Sequence, residues 1–252
     1  MQPIERPSRP KLSIVIPAYN EAGRLGRTLE TAADHFGERA EDVEIIVVDD
    51  GSSDATPEVA KAAAERRSLK LRVLSHRPNR GKGYAIRRGM LEARGDAVLF
   101  MDADLAVPIE YADRFVELLS AGNDVVIGSR RVRGANIAIH QPWIRERLGT
   151  WFRDLARLLL VPGISDFTCG FKAFRGDVAR EVFSRQRVTG WGFDVECVLI
   201  ASRLGYRVVE APVEWRDDGR TRVRLMRDIP RSALDLLTIL WNDLRGRYRP
   251  TV

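Results

Sequence analysis

The chain has 252 residues, 44% of them hydrophobic and 30% charged, with a formal net charge of +6. This length and composition suit a single domain with a sizeable core and exclude a disordered or fibrous chain. Two cysteines, Cys169 and Cys197, are too few for a disulfide framework and lack metal-ligand spacing, so they are expected as buried, reduced thiols.

Met1–Lys11 holds three prolines and no apolar stretch, and is read as a loose lead-in rather than a signal peptide. Lys11–Ile16 is a short apolar run closed by Pro17 and predicts a buried strand. Glu21–Phe36 follows with Leu25, Leu29 and Ala33 at helical spacing. Val43–Val48 predicts a second strand, ending in Asp49 and Asp50, and Ala-rich Asp54–Arg67 a second helix. Leu71–Leu74 (strand), Gly83–Ala93 (helix), Ala97–Met101 (strand), Tyr111–Leu119 (helix) and Asp124–Gly128 (strand) continue the alternation. Residues 12–128 therefore predict an α/β fold, a doubly wound parallel sheet with right-handed crossovers.

Residues 129–252 are less regular. They show Pro142–Leu160, a loop at Asp166–Phe174, a helix near Phe193–Leu204, a strand near Arg207–Val213 and a last helix around Ile229–Leu244. No run of about 18 apolar residues occurs, so no bilayer-spanning helix is expected.

Acidic residues fall just after strand ends, where open α/β sheets bind ligands. Asp102-Ala103-Asp104 directly follows the apolar run AVLFM, and in an extended turn residues i and i+2 point the same way. Two carboxylates there suit Mg²⁺ or Mn²⁺ bridging to a diphosphate. Asp49 and Asp50 repel each other unless a donor meets them, and a base N–H or a ribose hydroxyl would serve. Asp54 reads as a helix cap. Gly81-Lys82-Gly83 lacks phosphate-loop spacing; it is either a plain turn or a basic turn touching a diphosphate.

The basic charge is uneven. Seven arginines face one Glu and one Asp between Ile127 and Leu160, and Arg216, Arg220, Arg222, Arg224, Arg227 and Arg231 form a second cluster. Such patches fit phosphates, anionic lipid or nucleic acid. The lack of an interleaved aromatic and basic surface argues against nucleic acid as a partner.

As an ordered set, SIVIPAYNE (Ser13–Glu21), IIVVDDGSSDAT (Ile45–Thr56), NRGKGYAIRRGM (Asn79–Met90) and FMDADL (Phe100–Leu105) resemble family-2 glycosyltransferases of the GT-A fold. GSR (Gly128–Arg130), DFTCGFKAF (Asp166–Phe174) and WGFDVE (Trp191–Glu196) are similar to the polyprenyl-phosphate branch, above all the dolichyl-phosphate β-glucosyltransferases. The fold this implies is a GT-A type Rossmann-like sheet with an acceptor-side lobe containing amphipathic helices. The resemblance implies nucleotide contacts at Pro17, Tyr19, Glu21, Val48 and Asp50, and a metal and diphosphate motif at Asp102, Ala103 and Asp104. It also implies an arginine closing over the donor at Arg130, and donor-phosphate contacts at Arg216 and Arg222. Mannosyl-transferring relatives carry a Gln metal ligand where Ala106 stands, which favours the glucosyl type.

The implied reaction is inverting hexosyl transfer from UDP-glucose, with GDP-mannose as the alternative donor, to a polyprenyl phosphate. A phosphate monoester is already ionised near neutral pH and needs no general base, whereas a hydroxyl acceptor would need one. The Q-x-x-R-W signature of hydroxyl-directed relatives is absent. Arg131 and Arg133 are the candidates for the acceptor phosphate. Asp194, with Glu196, is either a base for a hydroxyl acceptor or a residue orienting sugar hydroxyls and arginines. The apolar faces of the Ile144–Leu159 segment and of the last helix fit peripheral attachment on the cytoplasmic side of a membrane, or core packing.

Overall fold

The computed structural model describes residues 10–67, 69–139, 156–216 and 225–250. The elements, in chain order, are β1 (Leu12–Ala18), α1 (Ala22–Phe36), a 3-10 turn (Gly37–Asp42), β2 (Val43–Asp49), α2 (Thr56–Arg67), β3 (Leu71–Ser75), α3 (Lys82–Glu92), β4 (Ala97–Met101), α4 (Tyr111–Ser120), β5 (Val125–Ser129) and β6 (Asn136–Ile139). They continue with β7 (Phe171–Arg175), α5 (Gly176–Arg185), α6 (Phe193–Arg203), β8 (Val208–Pro212), β9 (Glu214–Arg216) and α7 (Leu225–Leu244). Every strand and helix expected in residues 12–128 is present, with ends shifted by a residue or two.

The main sheet has seven strands in the order β3-β2-β1-β4-β7-β5-β8, and β6 and β9 pair separately. β1, β2 and β4 are buried on both faces, as continuous apolar runs require. One face of the sheet packs through Ile14, Val47 and Leu99 onto Leu25 and Leu29 of α1, Ala63 of α2 and Phe115 of α4. The other packs through Val15, Val48 and Phe100 onto Met90 of α3, Val182 of α5, Phe193 of α6 and Ile239 of α7.

Strands β1 to β5 run parallel, as expected of residues 12–128, and the antiparallel member of the sheet, β7, comes from the less regular second half. It lies antiparallel between β4 and β5, with Met101 opposite Phe171 and Val126 opposite Ala173. The loop expected at Asp166–Phe174 therefore ends in a central strand. Lys172 disguises it: its side chain is fully buried, and its ammonium is satisfied by the Asp194 carboxylate and, at 2.7 Å, by the Cys169 carbonyl. Those partners lie outside the strand, so a lysine amid Phe171, Ala173 and Phe174 reads as surface when it is core. Helix α5 also goes beyond the expected elements, although Val178, Ala179, Val182 and Phe183 bury one face at helical spacing.

Because β7 runs against its neighbours, its first residue sits at the sheet edge where the parallel strands end. The C-terminal ends of β1, β2, β4 and β5 and the Asp166–Gly170 segment thus converge on one edge.

Candidate active site

Two loops at this edge are stitched together. Asn20, in a left-handed conformation with φ 54°, accepts from Ser53 N at 2.7 Å, while its own N–H donates to Ser52 Oγ at 2.9 Å. Asp54 accepts from the first residue of α1 and of α2, Ala22 N at 3.2 Å and Thr56 N at 3.1 Å. The capping residue thus serves α1 as well as α2.

Asp50 is buried, and the donors it needs come from the chain. Its Oδ1 meets His76 Nε2 at 2.7 Å and Arg80 N at 2.7 Å; its Oδ2 accepts from Asn79 Nδ2 and Gly81 N, both at 2.9 Å. Asp49 Oδ1 accepts from Ser52 N at 2.9 Å. Asp50 therefore clasps the loop between β3 and α3, a role that its neighbouring sequence does not reveal. Of the other expected nucleotide contacts, Pro17 and Val48 are register partners across β1 and β2, and Val48 points into the core. Tyr19 is 40% exposed at the edge. Glu21 holds Arg24, accepting from its Nη2 at 2.8 Å, and Arg24 Nη1 also lies 3.8 Å from Asp104 Oδ2. Arg24 thus joins Glu21, an expected nucleotide contact, to the acidic motif, which its position on α1 alone does not signal.

Asp102 follows β4 directly. Its Oδ1 lies 2.5 Å from Lys82 Nζ, and its Oδ2 rests on Gly170, where an added Cβ would come within 2.0 Å. Asp104 Oδ1 accepts from Ala106 N at 3.0 Å. Burial first, and then the like charge of Asp102, push the Asp104 carboxyl above the usual carboxylate range. Ala103 is buried between them, its carbonyl taking the Thr28 hydroxyl at 2.7 Å.

The crowded pair Asp102 and Asp104 fits a hard divalent cation, which would relieve their repulsion and share its remaining positions with diphosphate oxygens and water. No group of three or more His, Cys, Asp or Glu side chains suited to a metal occurs among the described residues. A cation here would therefore rest on these two carboxylates.

Arg130, after β5, is clamped by Asp166: Nε to Oδ2 at 2.7 Å, Nη2 to Oδ1 at 2.9 Å, with Nη2 also donating to Thr168 Oγ1 at 2.8 Å. Its guanidinium lies 5.3 Å from the centre of the Trp215 ring. Burial alone would raise Asp166, but Arg130 overrides it and holds that carboxyl at about 2. Arg131 and Arg133 are exposed on the same loop, and Arg131 N donates to Ser129 Oγ at 3.3 Å.

Asp194, in the first turn of α6, is buried and accepts the Lys172 ammonium. Burial raises its carboxyl, against the pull of Lys172 and Lys82. Glu196 accepts from Tyr248 Oη at 2.5 Å, Val188 N at 2.8 Å and Arg187 N at 3.1 Å, so it ties the C-terminal end to the loop before α6. Both cysteines are buried and free, and burial pushes each thiol up to about 12. Arg216 is exposed, pairs with Glu214 Oε1 at 2.6 Å, and donates its N–H to the Ala106 carbonyl at 2.9 Å. With Arg24, Arg27, Thr28, Asp104 and Pro108 it lines a groove of about 430 Å³. Arg222 lies outside the described residues.

Helix α7 has two apolar faces. Leu236 and Ile239 are buried, while Leu234, Leu237, Trp241 and Leu244 are exposed, with the Arg245 guanidinium 4.3 Å from the Trp241 ring centre. Most of the Ile144–Leu159 segment lies outside the described residues; at its end Leu158 and Leu159 are exposed. Among the described residues no helix is long and apolar enough to cross a membrane.

Comparison with known proteins identifies the family and the fold. The dolichyl-phosphate β-glucosyltransferase of Homo sapiens is 35% identical over 95% of this chain and 78% of its own length. That of Saccharomyces cerevisiae is 33% identical over 94% of this chain and 76% of its own. Among solved structures, glucosyl-3-phosphoglycerate synthase of Mycobacterium tuberculosis superposes with a TM-score of 0.67 at 22% identity, covering 93% of this chain and 81% of that one; this likeness speaks for the fold. The model of glycosyl transferase family 2 matches residues 13–183. With the strand-end acids, the antiparallel β7 and these relatives in agreement, the chain belongs to glycosyl transferase family 2 and is a glycosyltransferase of the GT-A fold.

Proposed function

We propose that the protein transfers glucose, with inversion, from UDP-glucose to a polyprenyl phosphate of the dolichyl type, using a divalent metal on Asp102 and Asp104. The observation that carries the acceptor assignment is how the other acids at the edge are used. Glu21 holds Arg24, Asp50 holds the loop before α3, Asp166 holds Arg130 and Asp194 holds Lys172. A hydroxyl acceptor requires a carboxylate able to take its proton. A phosphate acceptor arrives ionised and requires cations instead. Arg131 and Arg133 supply them on an exposed loop beside Arg130.

Arg130, fixed by Asp166, is assigned to close over the donor, and Arg216, together with Arg222 by resemblance, is assigned to its phosphates. A bound Mg²⁺ or Mn²⁺ would supply charge stabilisation to the departing diphosphate. A synthase with this fold has been solved with Mn²⁺ and UDP, but at 21% identity that likeness extends to the fold only. The exposed stripe on α7, with arginines beside it, is assigned to the cytoplasmic face of a membrane, where a lipid acceptor is presented.

The test is transfer of labelled sugar from UDP-glucose or GDP-mannose to a short polyprenyl phosphate, with Mn²⁺ or Mg²⁺ and an EDTA control. Label is expected in the organic phase from UDP-glucose, only with metal. Preference for GDP-mannose would move the protein to the mannosyl branch. Transfer to a soluble sugar hydroxyl alone would make Asp194 the base and overturn the phosphate assignment.

A further inference from the structure

Lys82 stands where the mechanism needs Asp102. The ammonium lies 2.5 Å from Asp102 Oδ1, with its side chain only 18% exposed. The Trp191 and Phe193 rings wall it in, their centres 5.3 Å and 6.0 Å away. Asp194 adds a second negative charge acting on it.

The root of this lysine is fixed. Gly81 has φ +102°, and a Cβ there would come within 2.5 Å of the Thr189 carbonyl; its N–H, and that of Arg80, are held by Asp50. The loop clasped by Asp50 therefore delivers a tethered cation to the first carboxylate of the acidic motif.

We infer that Lys82 is a built-in competitor for the divalent metal, a positioning residue that couples metal loading to donor binding. The inference rests on the metal assignment to Asp102 made above. An ammonium and a metal cannot both sit against one carboxylate oxygen without strong repulsion. A metal that takes Asp102 Oδ1 displaces the ammonium, which then needs another anion. Asp194 is one, but its carboxylate already holds Lys172. The donor's diphosphate is a better one. Metal binding is accordingly weak without nucleotide and strengthened by it, and the lysine is the cause of the difference.

The experiment is titration of Mn²⁺, read as the free-ion signal in electron paramagnetic resonance, on wild type, K82Q, K82R and D102N, with and without UDP. K82Q is expected to bind Mn²⁺ without nucleotide about tenfold tighter than wild type or better, since an opposing charge has been removed. K82R is expected to stay near wild type, and UDP to tighten wild type more than K82Q. Equal or weaker Mn²⁺ binding by K82Q, with binding still lost in D102N, would overturn the inference while leaving the metal site intact. Mn²⁺ binding that is absent throughout, or indifferent to D102N, would overturn the metal assignment and the inference together. If K82Q loses cooperative unfolding, K82M fills the slot between Trp191 and Phe193 with an uncharged chain and is read the same way.

Discussion

Arg130 and Asp166, 36 residues apart, meet through two parallel contacts of 2.7 Å and 2.9 Å, and the Arg130 backbone N–H gives Asp166 Oδ2 a third at 3.0 Å. Planar bidentate pairing fixes the orientation of the guanidinium as well as its charge. D166N is expected to leave a cation only 17% exposed without its counter-ion and to lower stability by about 3 kcal/mol. Transfer should fall more in R130K than its retained charge suggests, because lysine cannot reproduce the fork. Urea denaturation and turnover of the two variants check this.

The same pair sets an acid limit. Asp166 is held at about 2, below its ordinary value, so its contribution is fully present above roughly pH 4 and is lost as pH falls toward 2. Unfolding free energy measured from pH 5 downward should decline more steeply in wild type than in D166N.

Gly170 is required by contact rather than by backbone freedom. A methyl group there would meet Asp102 Oδ2 at 2.0 Å. G170A is expected to displace Asp102, with about 1–3 kcal/mol lost in stability and a far larger proportional loss of transfer. Thermal melting beside the transfer assay separates the two effects.

Asp50 accepts from four groups of the loop before α3. D50N turns one acceptor oxygen into a donor facing other donors, and about 3 kcal/mol of stability should be lost. Amide hydrogen exchange should rise at Arg80 and Gly81 first. Unchanged exchange there would remove the clasp assigned to Asp50.

On α7, L237E and W241A are expected to lower association with anionic liposomes at low salt while leaving the melting temperature near wild type, since both side chains are more than half exposed. Equal flotation of wild type and variants would remove α7 from the membrane assignment.

The apolar runs of β1, β2 and β4, the helices between them and the acids at the strand ends were legible in the sequence, because burial on both faces leaves an uninterrupted local pattern. So was the acidic motif, since Asp102 follows AVLFM without a break. What the tertiary structure alone decided is how the charges are spent. Lys172 became core because Asp194 meets it from another element, turning an expected loop into β7. Asp50 became a clasp and Lys82 a counter-ion because residues 76–82 fold back over β2 and β4. Hydrophobic periodicity is a property of neighbours in the chain, whereas the partner of a buried charge is set by the fold and can lie anywhere in it.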